Sequence, residues 1–136
     1  MSAQQKFAWF SLAVIGLTLV AVLSLLPLLG KGALGGFGFL GLFWFGAFFY
    51  RKKPGQVVTD ERDQLIQRRS WLLAYCLFWV VFVLAAVVLS AVVYGEDGAV
   101  PVSVLSWSVF CGFMLVWALA SVATLAQYAG GSRDAG

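Results

Sequence analysis

Histidine is absent from the 136 residues. That absence removes the commonest general base and metal ligand, and every Ser-His or Cys-His nucleophile pair with them. Charge is scarce as well. Asp, Glu, Lys and Arg make up 11% of the chain, against roughly 25% in a soluble domain. So little charge cannot clothe a globule in water. There are two cysteines, Cys76 and Cys111, too few for a zinc or iron–sulfur site. Both fall in apolar stretches at different expected depths, so they are expected as buried, unpaired thiols.

What is present is apolar: 62% of residues are hydrophobic and 16% aromatic. A helix needs about 20 apolar residues to cross the hydrocarbon core. Four runs reach or approach that length, residues 7–29, 33–50, 71–94 and 102–128, and none contains Asp, Glu, Lys or Arg. The first run follows Lys6, as a signal peptide would. It exceeds the roughly 7–15 apolar residues of such a segment, and no small-residue cleavage pattern follows, so it is read as a retained span. The expected fold is an all-α integral membrane domain over residues 1–136, with four transmembrane helices as two antiparallel hairpins.

Charge orients the expected bundle. Lys6, Arg51, Lys52, Lys53, Arg62, Arg68, Arg69 and Arg133 fall on one side, and Lys31 alone among the basic residues falls on the other, with Glu96 and Asp97. Basic residues in short loops stay inside. Both termini and the 51–70 loop are therefore expected in the cytoplasm, and the membrane is of the bacterial inner type. The net charge of +3 reads as a topology signal and not as a nucleic-acid surface. Trp9, Tyr50, Trp71 and Tyr128 fall at the inner interface and Tyr94 at the outer one, the depth such rings favour. Trp44, Trp79, Trp107 and Trp117 lie deeper and are expected as packing.

The outer connections are tight. Pro27 precedes Gly30-Lys31-Gly32, and Pro101 ends the link to the fourth run, where it suits a first helical turn. The second run is rich in glycine. At about 100° per residue, Gly32, Gly35, Gly36, Gly38 and Gly46 share one arc and Gly41 falls outside it. Such a face predicts close helix packing, within the chain or against a second copy or partner subunit.

The loop carries the informative pattern. Pro54-Gly55 marks a turn after Arg51-Lys52-Lys53, a cluster that anchors topology and attracts anionic lipid. Thr59 is the expected N-cap, with Asp60 and Glu61 in the first turn and Arg68 and Arg69 towards the far end, an order that complements the helix dipole. Leu65 and Ile66 are expected to face the membrane while arginine stems reach phosphates. This predicts a short interfacial helix running into the third span. The run Asp60-Glu61-Arg62-Asp63, followed by Ile66 and basic residues directly before a span, resembles the Asp-Glu-Arg-Asp/Glu motif of small four-helix membrane proteins catalogued as a domain of unknown function. The resemblance implies no chemistry, and Glu61 and Arg69 carry over only as motif members.

Function is bounded more by exclusion. With no histidine and no ionisable residue in the spans, neither catalysis nor proton-coupled transport has its usual equipment. Three carboxylates, Asp60, Glu61 and Asp63, suggest a cation, but Glu61 points off their shared face and no fourth ligand is evident. No cofactor is expected. The reading is a non-enzymatic accessory or interaction subunit of the membrane, packing against itself or a partner and presenting the charged loop. The alternative is a small oligomeric channel or transporter without a membrane carboxylate. Its Ser103, Ser106 and Ser108 would line an outer vestibule, although such hydroxyls more often bond to the backbone.

Overall fold

The computed structural model describes residues 2–50, 61–94 and 98–130. Among them every regular element is helical. Arg51, Lys52, Lys53, Pro54, Gly55, Thr59, Asp60, Glu96, Asp97 and Arg133 lie outside the described residues.

Helix α1 runs Ala3–Leu29. Its start lies four residues before the apolar run, because Ser2 and Gln5 form a capping box. Ser2 Oγ accepts the Gln5 N–H at 3.2 Å, and Gln5 Oε1 accepts the Ser2 N–H at 2.9 Å. Two orphan donors are thereby satisfied, and Gln4 is drawn into the helix. The buried stripe is Gln4, Ala8, Ser11, Ile15, Thr18 and Val22, with spacings that alternate four and three as in a coiled-coil seam. Ser11 and Thr18 donate to the carbonyls of Phe7 and Val14, at 2.9 and 2.8 Å, so their burial leaves no donor unmet. The outward side carries Leu17, Leu19, Val20 and Leu23, all exposed.

Pro27 removes one backbone donor near the end of α1. The helix closes at Gly30, whose φ of 52° and ψ of −114° match the first central position of a type II′ turn. The chain then winds as a 3-10 helix over Gly30–Tyr50. In that geometry residues i and i+3 eclipse, so the helix has three straight rows. Leu34, Phe37, Leu40, Phe43, Gly46 and Phe49 form the covered row. Gly32, Gly35, Gly38, Gly41 and Trp44 form an exposed one. This corrects the α-helical expectation: Gly41 joins the row, while Gly36 and Gly46 leave it. Eclipsed side chains usually keep 3-10 runs to three or four residues. Here one row has almost no side chains to collide. The third row shows the eclipsing directly, with the Phe45 and Phe48 rings stacked 6.0 Å apart at 14°.

The tighter winding also changes length. At about 2.0 Å per residue the 21 residues reach about 42 Å, against about 40 Å for the 27 residues of α1 at 1.5 Å. The two helices pack along one another. Phe7 meets Tyr50 and Phe10 meets Phe49 at one end, and Gly36 lies against Val22 further along.

Helix α2 spans Glu61–Val88 and continues as a π-helix over Leu89–Tyr94. The expected interfacial helix is therefore the opening turns of one continuous element. Its buried residues Ile66, Ser70 and Ala74 recur every four positions. Beyond Ala74 the described surface is exposed apart from half-buried Phe78, whose ring rests on Gly112. Helix α3, Val102–Gly130, follows Pro101, whose carbonyl accepts the Val104 N–H at 2.9 Å. Ser108 donates to the Val104 carbonyl at 2.8 Å, which turns its hydroxyl back on its own helix. α3 packs on α2 and α1, and more lightly on the 3-10 helix. Ile15, Val22, Phe37 and Met114 form the core where α1, the 3-10 helix and α3 meet, with Trp107 and Trp117 against it.

Apart from that core, the inside is mostly small and hydroxyl-bearing, and most large apolar side chains lie outside. Cys76 and Cys111 follow the second pattern. Both are free, as expected, but exposed, so the expectation of burial is corrected. The stretches Ala3–Tyr50, Glu61–Val92 and Val102–Gly130 are each long and apolar enough to cross a membrane.

Candidate functional site

Polar side chains converge at the end of the bundle that holds Gln4. Asp63 stands in the first turn of α2 and is half-buried, whereas Glu61, Arg62, Arg68 and Arg69 are exposed. Asp63 turns inward because Tyr128, near the end of α3, donates its hydroxyl to Asp63 Oδ1. The same hydroxyl lies 3.3 Å from Gln4 Oε1. Gln4 in turn donates through Nε2 to Gln67 Oε1 at 3.2 Å, and Gln127 donates to Ser70 Oγ at 2.9 Å. Gln4 is only 3% exposed, so its amide is tolerable only because these partners exist. Three helices are thereby tied at one end. In an apolar solvent apolar contact gives no advantage over lipid, and interhelical hydrogen bonds of this kind contribute about 0.6–2 kcal/mol each.

Next to the network is a cavity of about 150 Å³. Phe7, Tyr50, Trp71 and Trp117 wall it, and Gln4 and Gln67 supply polar edges. Trp117 is its pivot: its ring also packs on Phe43 and Phe113. It therefore packs, as expected, and lines a cavity too. Thr124, also on the wall, donates its hydroxyl to the Ala120 carbonyl at 2.8 Å. Among the described residues no nucleophile stands beside a base in this cavity. Among the described residues no three of His, Cys, Asp or Glu come together as metal ligands would.

The expected glycine face separates into two sets. Gly36 and Gly46 serve contacts within the chain: a Cβ at Gly36 would fall 2.9 Å from Val22 Cγ2, and one at Gly46 would overlap the Phe7 ring. Gly32 abuts Leu29 of its own turn, while Gly35, Gly38 and Gly41 open onto empty space. Of the acidic motif, Asp63 enters the network. Gln4, Gln67 and Ser70 were not anticipated. Each is a polar residue just outside an apolar run, and there polar residues ordinarily face water.

A helical bundle that turns large apolar side chains outward and gathers its polar groups at one end is built for lipid; the chain is a membrane protein. It belongs to the family described as predicted membrane protein, DUF2178, whose model matches residues 4–129. Comparison with curated proteins and with solved structures gives no match.

Proposed function

We propose that the protein is a non-enzymatic accessory or interaction subunit of a bacterial-type inner membrane. In this reading it crosses the bilayer four times as two antiparallel hairpins, with both termini and the motif helix in the cytoplasm. The contacts of Phe7 with Tyr50 and of Trp71 with Trp117 support that pairing, because each joins the start of one helix to the later part of the next. The basic residues at the Gln4 end support the orientation.

The observation that carries the interaction role is the row Gly32, Gly35, Gly38 and Gly41. It ends on Trp44, which is 86% exposed, and no other helix among the described residues covers it. Helices meet closely in lipid across such small-residue rows, and a second copy or a partner subunit would meet this one there. Asp63, held by Tyr128, fixes the start of α2 so that Arg62, Arg68 and Arg69 stand outward, toward a partner or anionic headgroups.

The test is gentle purification from the native membrane, with identification of whatever migrates with the chain. Recovery of a lone monomer at native expression would sink the reading. A selective ion flux in liposomes, lost when Gly38 or Gly41 is enlarged, would replace it with the channel alternative.

A further inference from the structure

The cavity between Gln4 and Trp117 has the composition of a cation site. Its four rings stand close to right angles. Phe7 meets Tyr50 at 62° and Trp117 at 75°, and Trp71 meets Trp117 at 83°. All four rings line the cavity, and the face of an aromatic ring carries the negative part of its quadrupole. A cation within about 6 Å of such faces is attracted, most strongly by tryptophan and by desolvated rings. Among the described residues no basic side chain lines the cavity. Lys6, Arg62, Arg68 and Arg69 are exposed, where water and salt screen them. The half-buried carboxylate of Asp63 is linked to the cavity wall in two steps, through Tyr128 and then Gln4.

Size and hydrogen bonding narrow the ligand. A cavity of about 150 Å³ is the volume that takes a benzene-sized molecule. Bare metal ions require many oxygen ligands, and a primary ammonium brings three donors that need acceptors. Here Gln67 Oε1 already takes the Gln4 amide and the Thr124 hydroxyl is turned to the Ala120 carbonyl, which leaves few acceptors on the wall. A cation without N–H groups fits what remains. We propose that the cavity binds a compact methylated-ammonium cation, held by the faces of Phe7, Tyr50, Trp71 and Trp117.

Calorimetric titration of the full chain, solubilised in a maltoside detergent, tests this. Choline chloride is expected to bind saturably, and its uncharged carbon isostere at least about tenfold more weakly. Trp71→Leu is expected to weaken choline about tenfold, with Trp44→Leu unchanged. Should Trp71→Leu lose its helical circular dichroism, Trp71→Phe takes its place, with a loss of about threefold expected. Equal binding of the isostere, or no saturable heat with folded protein, overturns the proposal. The source is read by repeating the titration in nanodiscs. Competition by phosphocholine lipid, absent with phosphoglycerol lipid, identifies a headgroup; unchanged choline binding in both identifies a free cation.

Discussion

The hydroxyl of Tyr128 donates to the carboxylate of Asp63, across 65 positions of sequence. One residue closes the last long helix and the other opens α2, so this contact fixes the helix carrying the basic motif against the rest of the bundle.

Removing that hydroxyl by Tyr128→Phe is expected to cost about 1–2 kcal/mol of stability, the scale of a hydrogen bond to a charged group near a wet surface. Asp63→Asn is expected to cost less, since an amide oxygen still accepts. Denaturant titration in mixed micelles measures both. The double variant should lose less than the two single losses combined, because Tyr128→Phe already removes the contact that Asp63→Asn only weakens. Strict additivity would show that the pair does not interact.

The two sets of glycines should respond oppositely to a methyl group. At Gly36 the added carbon meets Val22 Cα and N at 3.2 Å as well as its side chain, and backbone cannot step aside. Gly36→Ala is therefore expected to destabilise the fold by about 1–3 kcal/mol, as overpacking does. Gly38→Ala meets nothing within 4 Å and should leave the monomer's stability within about 0.5 kcal/mol. If the exposed row is the association face, Gly38→Leu lowers the oligomer fraction in cross-linking without changing the unfolding midpoint.

Gly30 has open space around it and a constrained backbone. Its φ of +52° is one that L residues adopt only at a cost of about 1–2 kcal/mol. Gly30→Ala should lower the midpoint of unfolding accordingly, although no side chain is crowded. An unchanged midpoint would show that the turn relaxes to another form.

Accessibility labelling separates four crossings from three. On a background lacking Cys76 and Cys111, Lys31→Cys and Gly98→Cys should react with an impermeant maleimide applied outside intact cells. Gln64→Cys should react only after permeabilisation. If Ala3–Tyr50 were a single crossing, Lys31→Cys would sit in the bilayer and stay unlabelled from either side.

The apolar runs were legible because hydropathy accumulates over some 20 residues and tolerates local error. Helix type was not. From Gly32 to Phe49 the stretch is apolar on every row, so no polar face betrays whether it winds at 100° or 120° per residue. Gly32, Gly35, Gly38 and Gly41 recur every third position, and that spacing was the one available clue. The polar network was hidden for a different reason. Gln4 lies before the first apolar run and is brought inside by the Ser2–Gln5 capping box, a two-residue effect. Asp63 was visible as part of a motif, but its inward turn depends on Tyr128, a distant partner that local sequence does not reveal.

The winding of Gly30–Tyr50 also acts as a ruler. Rewound as an α-helix, its 21 residues would shorten by about 10 Å, at 0.5 Å per residue. With Gly30 pinned at the turn, the whole difference would appear at the Tyr50 end. Tyr50 would leave Phe7, the aromatic box would lose a wall, and the chain after it would need about three more extended residues to regain the level at which the helix now ends. The pitch of one helix thus sets both where the central loop begins and whether the cavity beside it keeps its Tyr50 wall.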